Sequence, residues 1–527
     1  MKRRAIIIVL AINLISFSNL FAKESKNPHH KESLQTISSL FDSQRYSLAL
    51  YSPDSHRSSF EILAPESDKA FFIKNGFQKR GEYIAPFNLG INNPEIFSLK
   101  TPLEKELTLQ NKKRYFKAAI EMTSLNVTIW LFNRYIIKEK WAYVSWDSIR
   151  DNLESGFTWD KDTYWTNLLG HPYHGAINYT IARANNLNVL ESTLFTFFGS
   201  VTWEFFLESR GDKDNPPSRN DLILNAVGGL ALGELLFKAA NLFIDESAVG
   251  FERVLRETMA FAANPGNIFR VVSGDAFRVG LPPEKHYFNL KFPFGAYKTS
   301  SGQPTFLMAL GLEYNDYLKG ETSSLRSYDW FSLSIRLGLQ DYKLLDTEIL
   351  TTGILAGRKI KGGIAGLFGV FDYMDTQTSK MMSALGFGPG LVTISESDSR
   401  YYFNSSGILY LILGGSSPSI ESPDAHFGTK INDPYYFGPG LLGRVKFELG
   451  KRGLGSIDTG FSQYWVHSIY TSVNEFLGIL TLNLNCDISK RSQLSVGYDY
   501  YLRHASLEAE RFKSTKPAVR AMYVLKF

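Results

Sequence analysis

The sequence predicts an α+β protein in which a small helical domain precedes an antiparallel transmembrane β-barrel of about 12 strands. Three observations predict this fold. Apolar residues recur at helical spacing between about residues 111 and 262. From about residue 285 onwards they alternate with small or polar residues. The 527-residue chain also contains 42 Gly, 39 Phe and 27 Tyr, a composition typical of β-structure at a lipid surface.

The N-terminus has the pattern of a signal peptide over residues 1–22. Lys2, Arg3 and Arg4 precede an apolar run that begins at Ala5, and Ala22 precedes the expected cleavage point. An uncleaved anchor helix is the alternative interpretation. Residues 23–110 lack a clear period, and we expect an extended or partly disordered segment there.

Charge and cysteine content narrow the class of protein. The net charge of +5 is small for this length, and no basic cluster is interleaved with aromatic residues, so nucleic acid is not an expected partner. The single cysteine, Cys486, cannot form a disulfide within the chain. An exported chain without internal disulfides favours the bacterial envelope.

We expect a helical domain over residues 111–270. Beyond a first helix near residues 115–137, the candidates are Pro172–Asn185, Val189–Glu208 and Ser218–Phe243, preceded by a polar connection over residues 151–170. The helices are apolar enough to raise an alternative, an inner-membrane protein. Acidic residues interrupt the apolar runs and argue against that alternative, namely Glu121, Glu204 and Glu234.

We expect the barrel over residues 285–527. In the stretch Thr305 to Asn315 one face carries Phe306, Met308, Leu310, Leu312 and Tyr314. A soluble β-sandwich would also alternate, but segments of ten to fifteen residues suit a tilted membrane strand. The last segment ends in Phe527, which resembles the C-terminal signal of bacterial outer-membrane barrels. The expected partners are therefore outer-membrane lipid and the barrel assembly machinery.

Polar residues cluster in the helical region. His171 and His174 are three apart at a helix start, and Ser200, Glu204 and Glu208 follow at four-residue spacing. The next helix begins with Ser218 and Asp221 and carries a small-residue surface. The remaining candidates for polar or packing roles are Arg183, Asn225, Gly228, Gly229, Gly233 and Glu234.

Three interpretations of this cluster remain open. Both histidines with Glu204 and Glu208 could ligate a metal, but no His-Glu-x-x-His motif is present, and we predict neither metal nor cofactor. Ser200 or Ser218 could act as a hydrolytic nucleophile, although no Gly-x-Ser-x-Gly motif occurs. The favoured interpretation is a buried polar network in which Arg183 pairs with an acid, Glu204 or Asp221.

The motifs "WTNLLGHPYHGAINYTIAR", "GSVTWEFFLES" and "PPSRNDLILNAVGGLALGELLF" resemble the bacterial family of domain of unknown function 3943 over roughly residues 120–270. The third helix also shows a weaker similarity to VanZ-like membrane proteins. Neither resemblance implies a reaction.

The sequence therefore predicts an outer-membrane protein whose helical domain docks to the barrel or plugs it, on the periplasmic side or in the lumen. Its expected role is structural or in transport. The alternatives are an envelope lipid or acyl hydrolase that uses His171, His174, Glu204 and Asp221, and a module that binds a periplasmic partner. Enzymatic activity and oligomeric state remain open.

Overall fold

A computed structural model describes residues 112–527 apart from residues 161, 211–216, 279, 281–284, 301, 319–322, 396–399, 419–434, 470 and 508–509. The expected signal peptide over residues 1–22 and the segment 23–110 lie outside the described residues. The cleavage site after Ala22 therefore stays a prediction.

The helical domain has five of its helices, α1 and α3 to α6, where the periodicity predicts them. Its α-helices are α1 Tyr115–Phe132, α2 Trp146–Ser155, α3 His171–Ala184, α4 Val189–Thr202, α5 Arg219–Gly228, α6 Glu234–Asn241, α7 Gly250–Ala263 and α8 Ile268–Val272. Turns of π-helix extend α1 over Asn133–Ile137 and α4 over Trp203–Leu207, and Gly229–Gly233 joins α5 to α6. Another π-turn, Thr166–Gly170, precedes α3.

Three helices, α2, α7 and α8, were not among the predicted helices, and α2 was missed because its start signal lies outside the apolar pattern. Part of α2 falls in the segment 151–170, which the sequence predicted to be a polar connection. Ser145 and Ser148 form a reciprocal capping box there, with Ser148 N–H donating to the Ser145 hydroxyl at 3.2 Å. The charged outer face of α2 hid this helix from a search for apolar periodicity.

The C-terminal half forms the predicted barrel. Its strands are β1 Phe288–Thr299, β2 Thr305–Tyr314, β3 Ser324–Leu325, β4 Phe331–Gln340, β5 Lys343–Ile360, β6 Gly363–Thr376, β7 Lys380–Thr393, β8 Tyr401–Pro418, β9 Tyr435–Lys451, β10 Gly455–His467, β11 Asn474–Ser489, β12 Ser492–Leu507 and β13 Glu510–Lys526.

Twelve of these strands close into one antiparallel ring. Each long strand pairs with its neighbour in the chain, and β1 pairs with β13 from Lys291↔Lys526 to Thr299↔Ala518. The short β3 adds to β5 outside this ring order. The predicted fold class, a helical domain followed by a barrel of about 12 strands, is therefore confirmed.

Alternation along the strands separates the lumen from the outer wall. Arg444 on β9 contacts Asp372 on β6 and Thr352 on β5, which only inward-facing side chains of these strands can do. Their neighbours in sequence, such as Val445, face outwards. Exposed apolar side chains cover much of the outer wall, among them Phe306, Leu411, Leu441, Phe447, Leu480, Val496 and Val519.

The helical domain packs on the outer wall of the barrel. Leu224 and Ala231 lie in one cluster with Phe371 and Phe437, which face outwards on β6 and β9. Leu235 and Ala239 lie in a second cluster with outward side chains of β2 and β4, among them Leu312, Tyr314, Phe331 and Leu333. These contacts contradict the expected position in the lumen, because the side chains that meet the helices belong to the opposite face of each strand.

Tyr328, which lies in the segment between β3 and β4, holds the helical domain against the barrel wall. Its hydroxyl donates a 2.6 Å hydrogen bond to the carbonyl of Ala231, and its side chain is fully buried. The ring lies over Gly353, where a Cβ atom would overlap ring carbons, and its hydroxyl approaches Gly369. Two glycines on adjacent strands therefore make the space that the tyrosine fills.

We expect Gly353→Ala to destabilise the protein by about 1–3 kcal/mol, because the added methyl group overpacks the Tyr328 ring. The matched control is Gly443→Ala on the outer face of β9, where a Cβ atom would meet nothing within 4 Å. The effect is measured by the temperature at which the barrel loses its compact gel mobility. Protease cleavage of the helical domain provides a second measurement. Equal behaviour of the two variants would contradict the docking role of Tyr328.

Candidate functional site: the buried polar cluster and the barrel lumen

The polar cluster begins at the loop before α3. The Asp160 carboxylate accepts hydrogen bonds from Asn220 at 2.7 Å and Asn167 at 2.9 Å. Burial raises the pKa of Asp160, but hydrogen bonds from Asn220, Asn167 and Ser218 and the charge of His171 together lower it. The Asp160 carboxylate is thus held by donors from the surrounding helices and loops.

His171 stands beside this anion and beside Asp221. Its Nε2 atom lies 3.2 Å from a carboxylate oxygen of Asp221, and both side chains are mostly buried. Burial lowers the pKa of His171, and the negative charge of Asp160 acts in the opposite direction. The first histidine of the His-Pro-Tyr-His-Gly motif thus connects the loop before α3 to the first turn of α5.

Glu204 connects the end of α4 to the start of α5. Its carboxylate accepts the backbone N–H of Ser218 at 2.9 Å, and the Ser218 hydroxyl caps α5 by accepting the N–H of Asp221 at 3.1 Å. The other oxygen of Glu204 is buried and has no hydrogen-bond partner among the described residues. This acid therefore provides the acceptor for a backbone N–H at the start of α5, which is buried away from water.

His174 faces a different helix from His171. Its Nε2 atom shares a 2.9 Å hydrogen bond with Asn126 of α1, and its ring packs edge-on against Trp203. The two histidines thus contact different partners despite their three-residue spacing. Among the described residues, no group of three or more His, Cys, Asp or Glu side chains is arranged to hold a metal ion.

The partner expected for Arg183 was wrong. Its guanidinium pairs with Glu234, at 2.7 Å from Nε and 3.1 Å from Nη2, rather than with Glu204 or Asp221. Tyr179 donates a further hydrogen bond to Glu234 at 2.8 Å, and the Glu234 side chain has no exposed surface. The sequence separation of 51 residues gave no signal for this choice among several acids.

The remaining candidates occupy helix contacts. Asn225 donates to the Ser200 hydroxyl at 2.8 Å, and Glu208 accepts from the Trp203 indole at 2.9 Å. Glycines allow the backbones to meet, because a Cβ on Gly228 would lie 2.6 Å from Pro172 and one on Gly233 would lie 2.8 Å from the Tyr179 ring. Gly229 would meet Thr196 at 2.8 Å.

No serine in the described part of the helical domain is hydrogen-bonded to His171 or His174. The Ser200 hydroxyl meets an amide, and the Ser218 hydroxyl meets Asn220 at 3.0 Å. A hydrolytic nucleophile requires a base within hydrogen-bond reach, and the cluster provides side chains that bond to one another instead.

The lumen of the barrel is a second candidate site that the sequence did not predict. It holds a cavity of about 2120 Å³ that extends to the rim where β1 begins and β13 ends, which we call the terminal rim. Its lining includes ten lysine and arginine side chains but five acidic side chains. Among the described residues, four of these cations form no ion pair, namely Lys291, Lys446, Lys490 and Arg491.

Hydrogen-bonded polar side chains, which we call the crossbar, span the lumen and bound this cavity at the end away from the terminal rim. Arg444 pairs with Asp372 and donates to Tyr464 at 2.9 Å, and Tyr464 in turn donates to Asp372 at 2.7 Å. Thr352 shares a 3.0 Å hydrogen bond with Tyr410 and accepts from Arg444 at 3.2 Å. Side chains of five strands thereby meet across the lumen.

The turn between β6 and β7 closes the lumen further towards the opposite rim. Gln377 donates to the Tyr297 hydroxyl on β1 at 3.0 Å, and its backbone N–H donates to Asp346 on β5 at 2.7 Å. Lys516 on β13 donates to the Gln377 carbonyl at 3.3 Å. The turn therefore reaches across to strands on the far side of the ring.

Comparisons with known proteins found one family model and several solved structures that are similar to parts of the chain. A family model described as a domain of unknown function, DUF3943, matches residues 156–266. This match confirms the resemblance of the helical motifs within narrower bounds, whereas the VanZ-like similarity stays a prediction. No curated protein matches the chain.

Solved outer-membrane barrels match the C-terminal half. OmpT of Vibrio cholerae has 6% identity and a TM-score of 0.21, and covers 46% of this chain and 97% of its own. The COG4313 outer membrane channel from Pseudomonas putida F1 has 9% identity and a TM-score of 0.23, with 47% and 97% coverage. The β domain of the Bordetella autotransporter BrkA has 10% identity and a TM-score of 0.21, with 46% and 100% coverage.

We expect Arg183→Leu to destabilise the helical domain by about 3–5 kcal/mol, because it leaves Glu234 charged and unpaired in the interior. The double variant Arg183→Leu with Glu234→Leu removes both charges and restores most of the loss. Helical circular dichroism during thermal unfolding measures both variants. A double variant as unstable as the single one would show that the pair is not the relevant interaction.

We expect Glu204→Ala to cost about 1–3 kcal/mol, because the buried N–H of Ser218 loses its acceptor. Glu204→Gln retains a side-chain oxygen and keeps near-normal stability, since the bond needs an acceptor rather than a charge. Limited proteolysis between α4 and α5 separates the two variants. Similar cleavage of both would contradict the capping role.

Proposed function

We propose that this protein is a gated barrel of the bacterial outer membrane that admits small anionic solutes. The helical domain serves as a structural domain docked on the barrel wall. The observation that carries the proposal is the wide cationic cavity, which opens at the terminal rim and ends at the crossbar of Arg444 and Asp372.

The outer wall of the barrel supports a location in the outer membrane, which we call the membrane address. Leucine, valine and phenylalanine side chains are exposed on β8 to β13 and on β1 and β2, for example Leu411, Phe447, Leu480, Val496 and Phe306. A soluble barrel would have polar side chains at these positions, whereas a barrel in lipid presents apolar ones. The inward faces carry lysine, arginine, serine and asparagine, as a wet lumen requires.

The solute class follows from the charge of the cavity. Of the five acidic side chains in the lining, Glu348 pairs with Arg336 and Asp487 pairs with Lys526 at 2.6 Å, while Glu448 and Asp458 accept hydrogen bonds from neutral side chains. The ten basic side chains of the lining, which include Lys291 and Lys446, outnumber these five acids and leave a positive potential in the cavity. Such a potential concentrates anions and repels cations.

The structural role of the helical domain is supported by how its polar groups are used. Asp160, Glu204 and Glu234 each bond to a neighbouring helix or to the loop before α3. Their side chains are almost fully buried, so that a substrate has no direct access to them. A network satisfied in this way specifies one arrangement of helices.

The test is conductance of the purified full chain in planar lipid bilayers. We expect weak conductance with anion preference for the unchanged protein, and a larger open-state current for Asp346→Ala, because this change removes the acceptor that holds the Gln377 turn. Lys291→Glu combined with Lys446→Glu is expected to weaken or reverse the anion preference.

Lys513→Glu is the control for the charge reversal. Lys513 lies on β13 at a position that alternation places on the outer face, so its charge should leave the ion preference unchanged. Folded barrels that conduct in no variant, or that keep their preference after both lumen lysines are reversed, would overturn the proposal.

A further inference from the structure

The α4 helix has its polar and apolar faces the wrong way round for a helix in water. Its most exposed positions all carry large apolar side chains, with Leu190 69% and Phe198 60% exposed. The full exposed set on α4 and its π-turn is Leu190, Leu194, Phe197, Phe198 and Phe206. Its buried face instead carries Ser192, Thr196, Ser200 and Glu204. Water favours the opposite distribution.

The α1 helix repeats this inversion in part. Glu121, Asn126 and the following Asn133 are buried, whereas Phe116 is 80% exposed and Ile120 is half exposed. Lys117 near the start of α1 is 37% exposed and pairs with Glu121 at 3.5 Å, and Met122 and Leu125 share the buried face. The exposed apolar side chains of α1 and α4 form one surface, which we call the α1–α4 face.

Hydroxyl groups on this surface turn towards their own helices. Thr128 donates to the carbonyl of Ser124 at 2.7 Å, and Thr202 donates to the carbonyl of Phe198 at 2.9 Å. Thr193 donates to the carbonyl of Val189 at 2.9 Å. A threonine that bonds its own backbone needs no water, as required where hydrocarbon surrounds a helix.

Aromatic and basic side chains gather at one end of the α1–α4 face. Arg134 lies over the rings of Trp130 and Tyr143, at 5.4 and 4.8 Å from their centroids, and Tyr135 beside it is exposed. At the other end Lys113 pairs with Glu191 at 2.7 Å. Aromatic rings and charges that bound an apolar face are typical of the interface between lipid tails and head groups.

The footprint of the helical domain on the barrel adjoins the exposed apolar wall. On β9, Phe437 packs in the interface with the helices, whereas Leu441 four residues on faces out uncovered. On β2, Leu312 lies under the helices and Met308 is exposed. The helices therefore replace lipid along part of the same outer surface.

We propose that α1 and α4 of the helical domain lie within the membrane beside the barrel wall, with acyl chains of membrane lipids in contact with the α1–α4 face, whereas the charged face of α2 stays in water. This inference rests on the membrane address given under the proposed function. It replaces a helical domain free in the periplasm or inside the lumen. The inverted faces of α4, the exposed apolar side chains of α1 and the continuity with the barrel wall carry it.

The test uses single cysteines in the full chain with Cys486→Ser as background, reconstituted in phosphatidylcholine vesicles. Phe198→Cys and Ile120→Cys report on the α1–α4 face, and Leu480→Cys on β11 reports on the barrel wall. Asp151→Cys on the charged face of α2 is the matched aqueous control. Each cysteine carries a small fluorophore, which is quenched either by doxyl-labelled lipid or by iodide in the buffer.

We expect doxyl lipid to quench the fluorophore at Phe198→Cys and Ile120→Cys as strongly as at Leu480→Cys, while iodide quenches only the one at Asp151→Cys. Quenching by iodide at the two helix positions, with Leu480→Cys still quenched by lipid, overturns the inference and leaves the membrane barrel intact. Protection from both quenchers overturns it in favour of a protein partner or a second copy. Absence of lipid quenching at Leu480→Cys refutes the membrane address itself.

Discussion

Closure of the barrel between β1 and β13 is the constraint on which the other features depend. Because the ring is closed, its twelve long strands have no free edge, and the alternation of side chains along each strand separates a lumen from an outer wall. The same alternation supplies a cationic cavity on one side and an apolar wall on the other. The helical domain packs on this wall through apolar side chains.

The interior of the helical domain is polar for a related reason. Glycines at Gly175, Gly228 and Gly233 bring helix backbones close enough that few bulky side chains fit between them. Stability must then come from directed bonds, such as the pair of Arg183 and Glu234 and the capping of α5 through Glu204. These are the devices that hold helices together where apolar burial offers little gain. The histidine motif belongs to this set of contacts.

Much of the fold could be predicted from the sequence, and less of the site. Strand alternation is local, so the faces of β2 and β4 follow directly from residues such as Phe306 and Phe331. The ion-pair partner of a buried side chain is not determined by nearby sequence. Arg183 could pair with any of several acids, and only the packing of α3 against α6 selects Glu234. The lumen site was missed because its residues come from many strands, and no spacing along the chain brings Lys291 and Lys446 together. The outer docking surface was missed because lipid-facing and helix-facing side chains have the same chemistry.

Tyr328 makes the two halves of the molecule unequal in their dependence on each other. The barrel ring is complete through its own strand pairs, whereas the helices obtain part of their interior from barrel side chains and from the bond between Tyr328 and Ala231. Folding therefore has a hierarchy in which the ring can form as one cooperative unit and the helices become a second unit on its surface. Evolutionary change in the helical domain is correspondingly restricted by the barrel wall, while the lumen is free to vary without disturbing the helices.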